Sequence, residues 1–157
     1  MFRKFALVVL VLSLTACASG KTAADKMASV SPPPLTADQM VKDAKASIKE
    51  VTVEDVKKLI DSNAKIVILD VRDRDEYITG FIPGAINVSR GMLEFKVEAA
   101  IPDKSAPIYV YCGVDLRGPL ATLTLNRMGY VNAVNLIGGL KAWKAAGNPT
   151  THYPSGL

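Results

Sequence analysis

Pro107-Ile108-Tyr109-Val110-Tyr111-Cys112-Gly113-Val114-Asp115-Leu116-Arg117-Gly118-Pro119 sets an apolar, β-branched run against a short loop and then the opening of a helix. An apolar run of strand length without alternation belongs to a strand covered on both faces, the habit of parallel sheets. Pro119 suits a first helical turn, where its missing N–H has no partner to lose. Cys112 therefore falls where a buried strand ends and a helix begins, among unpaired amides and at the positive end of the helix dipole. Such a place favours the thiolate, which is the nucleophile, and brings a cysteine pKa from about 8.5 into roughly the 3.5 to 7.5 range. The competing reading is a small buried hydrophobe, which free cysteine often is.

Outward from this stretch, extended and helical signals alternate from Ile48 on, the pattern that builds a parallel sheet with helices over both faces. Ile48 to Val51 reads as a short strand, and Thr52 as the cap of a helix with Glu54 and Asp55 in its first turn and Val56, Leu59 and Ile60 on one face. Ile66 to Leu69 is a central strand closed by Asp70. Asp73 to Tyr77 reads as one helical turn, Gly80-Phe81-Ile82-Pro83-Gly84 as turn chemistry, Ala85 to Val88 as a brief strand and Gly91 to Ala100 as a helix. After the Cys112 loop come a helix from Pro119 to Met128, a strand at Ala133 to Leu136 and a helix from Leu140 to Ala146. The tail beyond Gly147 shows no period, and no internal repeat is present.

The N-terminal part has a different composition. Residues 1–16 read as a secretory signal: a charged start at Arg3 and Lys4, an apolar run from Phe5 to Leu14, and small residues before the cut. Leu14-Thr15-Ala16-Cys17 resembles the lipobox of bacterial lipoproteins, which implies cleavage before Cys17 and acylation of that cysteine; the alternative is a plain secretory signal with an incidental cysteine. Ala18 and Ser19 lack the aspartate that commonly signals inner-membrane retention, so the resemblance implies the periplasmic face of the outer membrane. Residues 17–47 then form the lipidated N-terminus, a small and polar tether ending in Ser31-Pro32-Pro33-Pro34, and a short helix started by Thr36 or Asp38. Residues 48–157 suffice for one core and one domain.

Losing Arg3 and Lys4 with the signal reduces the formal charge from +4 to +2, which implies no special affinity for nucleic acid. With Cys17 acylated, Cys112 is the only free thiol, so a disulfide framework is ruled out.

Sites in open parallel sheets form beyond the carboxyl ends of strands, where both Cys112 and Asp70 fall. With them in place, the chain resembles the rhodanese family. Asp70-Val71-Arg72 with Glu76-Tyr77, Gly80 through Val88, Tyr111-Cys112 with Arg117, and Gly129-Tyr130 through Gly138-Gly139-Leu140-Lys141-Ala142-Trp143 with Gly147-Asn148-Pro149 follow the family's order over Ile48 to Pro149. The resemblance implies a five-stranded parallel sheet. It also implies a cysteine that takes up sulfane sulfur as a persulfide and passes it to a thiophilic acceptor such as cyanide or a thiol, with no metal or organic cofactor.

In this chain the nucleophile is then Cys112. The anion cradle is the backbone of Gly113, Val114, Asp115, Leu116 and Arg117, with Gly118 beside it; Asp70 and Arg72 either orient this loop or are structural support, an acidic strand end bonded to neighbouring backbone. Related dual-specificity phosphatases have one residue more in this loop, Cys-x5-Arg. Four residues lie between Cys112 and Arg117, a length that points to sulfur rather than phosphorus or arsenic.

Three departures from the family pattern stand out. Phe81 replaces a common histidine and reads as a packing change, and Gly118 replaces a common serine and removes a hydroxyl donor. Asp115 places a carboxylate in the loop. At about 6 Å from the sulfur and an effective dielectric near 20 it disfavours a second anion by roughly 3 kcal/mol, which Arg117 offsets if it turns inward. The expected donor is therefore neutral or thiol-bound, with thiosulfate a weak one.

Trp143, Tyr130 and Leu140 read as core, and Lys57 and Lys58 as solvated. His152, the only histidine, has no visible partner and is given no catalytic role, and metal binding needs a ligand cluster that the sequence lacks. Two functions compete. One is a lipid-anchored sulfurtransferase with a small sulfane-sulfur donor. The other is a noncatalytic rhodanese-like module that uses the same surface to bind a protein partner or sense sulfur.

Overall fold

Why the alternating runs assemble as they do is plain in the computed structural model, which describes residues 33–153. The signal at 1–16, the lipidation site Cys17 and the tether as far as residue 32 lie outside the described residues. One compact unit begins at Leu35.

The elements in chain order are α1 (Ala37–Ser47), β1 (Glu50–Val51), α2 (Val53–Asp61), β2 (Val67–Asp70), α3 (Arg74–Ile78), β3 (Ile86–Asn87), a 3-10 turn (Arg90–Met92) running into α4 (Leu93–Ala100), β4 (Ile108–Tyr111), α5 (Arg117–Arg127), β5 (Ala133–Leu136) and α6 (Gly139–Ala145). The five strands form one parallel sheet in the order β1-β5-β4-β2-β3. This is the rhodanese-like α/β architecture that the sequence leads one to expect. β5 has its expected bounds, while β1 and β3 pair over only two residues each.

Each central strand feeds two cores because its side chains alternate between faces. In β4, Ile108 and Val110 join Leu69, Leu93, Val97, Ala121 and Leu125 in the layer under α4 and α5. Tyr111 points the other way and joins Val53, Val56, Leu136, Leu140 and Trp143 under α2 and α6. Tyr130 is buried in the first layer and Leu140 and Trp143 in the second, as expected. Helix α1 packs on α5 and buries Ala44.

Local chemistry starts the helices where the side chains predict. Thr36 Oγ1 accepts from Gln39 N at 3.2 Å and Thr52 Oγ1 from Asp55 N at 3.2 Å, each capping an orphan amide. α5 begins at Arg117, two residues before the expected Pro119, so the proline sits inside the first turn, where it forfeits no intrahelical bond.

The unpatterned tail acquires structure through a distant partner. Thr151 and Phe81 exchange backbone hydrogen bonds of 2.9 Å in an isolated antiparallel bridge, and Trp143 Nε1 donates to Pro149 O at 2.8 Å. Phe81 stacks on Tyr77 with ring centroids 4.1 Å apart, consistent with a packing role.

Candidate active site

β4 is the middle strand, so the loop it releases lies over the centre of the sheet's carboxyl edge. Asp70 pairs in register with Tyr111, which places the acidic end of β2 one residue from Cys112. The Cys112 side chain is 1% exposed and packs in the α4/α5 layer.

The loop is fastened from the opposite side. Leu140 N donates to Cys112 O at 2.8 Å and Lys141 N to Gly113 O at 3.0 Å, so the first amides of α6 hold the first two carbonyls of the loop. Gly139 makes this approach possible: its φ is +58°, and a Cβ there would overlap Cys112 O. Carbonyl and N–H point opposite ways across a trans peptide, so the amides of Gly113 and Val114 face away from α6. Among the described residues, the amides of Gly113, Val114, Asp115 and Leu116 donate no backbone hydrogen bond. A run of free donors therefore sits between the end of β4 and the first turn of α5.

Asp70 and Arg72 form a buried pair at the base of the site. Arg72 Nη2 lies 2.6 Å from Asp70 Oδ2, Nε lies 3.1 and 3.0 Å from the two carboxylate oxygens, and the Arg72 amide donates to Asp70 Oδ1 at 2.9 Å. The remaining donors of Arg72 reach Glu76 O at 3.0 Å and Gly80 O at 2.8 Å. Burial works against the Arg72 charge, and Asp70 more than restores it, raising the pKa above the ordinary value. Beside this pair, burial first and Asp70 second push the Tyr111 phenol far above its usual range, so it stays neutral and its oxygen accepts from Ile82 N at 3.2 Å.

The charges on the loop are arranged differently from expectation. Arg117 does not turn to oppose Asp115: its Nη1 lies 2.6 Å from Glu76 Oε2 and its Nη2 2.8 Å from Glu76 Oε1, with Asp73 Oδ2 at 3.2 Å from Nη1. Glu76 raises the Arg117 pKa, with Cys112 a lesser contributor, and Arg117 in turn lowers that of Glu76. Gly113 sits against this network: a Cβ there would have Arg117 Nη2, Arg72 Cδ and Glu76 Oε1 3.8 to 3.9 Å away. Asp115 is likewise committed elsewhere. Its Oδ1 accepts from Asn135 Nδ2 at 2.7 Å and its Oδ2 is paired with Lys45, so the expected compensation of Asp115 by Arg117 is replaced by two separate pairings.

Asp115 also carries a backbone cost, because its φ is +69°, a left-handed conformation that costs an L-residue about 1 to 2 kcal/mol and that aspartate tolerates better than most. Gly118 is explained by the same neighbourhood: a Cβ on it would overlap Oδ1 of the buried Asn135. A serine at this position has no room.

Sequence reasoning singles out Cys112, its loop, Asp70 and Arg72, and the structure places Asp70 and Cys112 at neighbouring strand ends. It quoted Glu76 only as part of a motif and missed Lys45 and Asn135 altogether. An acidic loop residue between two apolar ones was the available signal that a cation had to be sought, but nothing local said which.

The chain is similar to several known proteins. YrkF of Bacillus subtilis is 30% identical over 98 residues, which cover 62% of this chain and 52% of YrkF, so the match spans about half the length of that relative. The thiosulfate sulfurtransferase GlpE of Coxiella burnetii is 36% identical over 90 residues, 57% of this chain and 77% of GlpE. Among solved structures, RPA3614 of Rhodopseudomonas palustris, a protein of unknown function, superposes with a TM-score of 0.69 at 32% identity, covering 77% of this chain and 99% of that one. The family model described as Rhodanese-like domain matches residues 52–146, and the chain belongs to the rhodanese-like domain family.

Proposed function

We propose that this chain is a sulfurtransferase in which Cys112 carries the transferred sulfur. Its kinship with sulfurtransferases such as GlpE supports the reaction class. The observation that supports the finer reading is the run of free amides from Gly113 to Leu116 in the loop that Cys112 opens. A persulfide is an anion, and oriented N–H donors replace the water it would otherwise need.

In the first half-reaction the Cys112 thiolate attacks the sulfane sulfur of a donor. A new S–S bond forms, the old bond to that sulfur breaks, and the donor leaves as sulfite or as a thiolate. In the second, a thiol or cyanide attacks the outer sulfur, the Cys112 S–S bond breaks and the thiolate returns. No metal or organic cofactor enters either step.

The side chains that the loop presents to solvent are apolar, Val114 at 55% and Leu116 at 53% exposure, and Arg117 is already paired with Glu76 and Asp73. An inorganic dianion gains little there, so the favoured donor is neutral or thiol-bound and thiosulfate is a poor one.

The test is intact mass after incubating the purified full chain with inorganic and organic sulfane-sulfur donors. One added sulfur that Cys112→Ser abolishes is expected. No addition with any donor, or an addition that survives Cys112→Ser, overturns the reading. The near-complete burial of Cys112 favours one second reading, a noncatalytic module that binds a protein partner or senses sulfur; failure of every donor selects it.

The lipobox-like Leu14-Thr15-Ala16-Cys17 supports a further placement, with the domain held by lipid at Cys17 on the periplasmic face of the outer membrane. Incorporation of labelled palmitate into the wild type and its loss in Cys17→Ala, with the protein moving from the membrane to the soluble fraction, is the expected result. Unchanged fractionation of that variant overturns it.

A further inference from the structure

Outside the residues that match the family, one side chain reaches into the Cys112 loop. Lys45, in the last turn of α1, pairs with Asp115 Oδ2 and lies 3.3 Å from Glu50 Oε1. Asn135 Nδ2 closes the set, donating to Asp115 Oδ1 at 2.7 Å and to Glu50 Oε1 at 2.8 Å. Residues of α1 and β5 thus converge on the carboxylate of one loop residue, with Glu50 of β1 behind both of them. That residue is the one whose backbone is left-handed, at φ +69°, in the middle of the run of free amides. A strained conformation of this kind persists only where its surroundings hold it, and here two donors from distant elements do so.

The site also shows what the brace displaces. Asn135 is fully buried with its Oδ1 unpartnered, and that oxygen occupies the space that a side chain at 118 would need. Gly118 and the Lys45–Asp115–Asn135 arrangement are therefore parts of one solution. Around Lys45, burial opposes its charge and Asp115 and Glu50 outweigh that, so the amine remains a cation at neutral pH.

We propose that Lys45 is a positioning residue for sulfur transfer: acting through Asp115, it holds the loop in the conformation that aligns its amides and keeps the Asp115 charge neutralised. This makes α1 part of the working site, and it rests on the reading of Cys112 as the sulfur carrier. Removing the amine does two things. It removes one of the two holds on the left-handed residue, letting the loop relax and dispersing the donors, and it leaves the Asp115 carboxylate without a cation in the loop that carries the nucleophile. Both disfavour the thiolate and the persulfide.

Two readouts on the full chain test this. The first is the pH profile of alkylation by iodoacetamide, followed on the peptide that carries Cys112, and it needs no sulfur donor. The second is kcat for sulfur transfer with an organic persulfide. Lys45→Met is expected to move the alkylation profile to higher pH and to lower kcat about fivefold or more, whereas Lys45→Arg preserves both. Glycine adopts a positive φ without strain and has no carboxylate. In an Asp115→Gly background, Lys45→Met therefore changes neither readout further. An unmoved alkylation profile in Lys45→Met, or an equal loss in the Asp115→Gly background, overturns the proposal. Because alkylation is read without a donor, the brace can fail while sulfur transfer stands, and the reverse.

Discussion

Glu76 grips the guanidinium of Arg117 at two points, Oε2 to Nη1 at 2.6 Å and Oε1 to Nη2 at 2.8 Å, which takes the loop's own cation out of circulation. Paired hydrogen bonds of this geometry are among the stronger polar contacts, because both partners are charged and their planar groups match. Glu76 simultaneously accepts from the Asp73 amide at 3.3 Å, and its carbonyl accepts from Arg72 at 3.0 Å. The first turn of α3 thereby ties the buried Asp70–Arg72 pair to the far end of the Cys112 loop.

Glu76→Gln releases Arg117 toward the mouth of the site. KM for thiosulfate is expected to fall roughly fivefold, equivalent to about 1 kcal/mol, with little change for a neutral organic donor. Steady-state kinetics with both donors check this. An unchanged KM for thiosulfate would mean that the pair does not govern donor charge preference.

The same contact predicts a pH dependence of stability. Arg117, chiefly, lowers the Glu76 pKa below its ordinary value of 4.5. A carboxyl with a lower pKa folded than unfolded contributes stability that is complete above the ordinary value and drains away as pH falls through the lowered one. Thermal midpoints of the wild type and Glu76→Gln should therefore differ near neutrality and draw together as the pH falls below the ordinary carboxylate range. A difference that stays constant down to pH 3 contradicts the assignment.

Asp70→Ala leaves Arg72 buried without its carboxylate. Breaking a buried pair from one side costs about 3 to 5 kcal/mol, because the remaining charge loses both water and partner. Urea unfolding is the measurement, and a loss below about 1 kcal/mol would show that Glu76 O and Gly80 O suffice to hold the guanidinium.

Gly118→Ser inserts a side chain against Asn135 Oδ1. A loss of about 1 to 3 kcal/mol is expected from the forced overlap, even though serine is ordinarily the better helix residue. Combined with Asn135→Ala, which removes the obstructing oxygen, the losses should add to less than their sum. Full additivity would separate the two residues.

The order of elements and the place of the Cys112 thiol at a strand end were already determined by the sequence. Apolar runs of strand length, helical periods and caps such as Thr52 are local properties, so β5 at Ala133 to Leu136 and the strand ending before Cys112 could be read without any knowledge of neighbours. Which charge meets which was decided only in three dimensions. Asp115 finds Lys45 across 70 residues and Asn135 across 20, and Arg117 finds Glu76 across 41. Those meetings follow from a sheet order that sets β5 between β4 and β1 and from the packing of α1 on α5. Charge attraction carries no address along the chain, so a carboxylate in the loop has many candidate partners in sequence. The fold selects one by bringing its cation within reach.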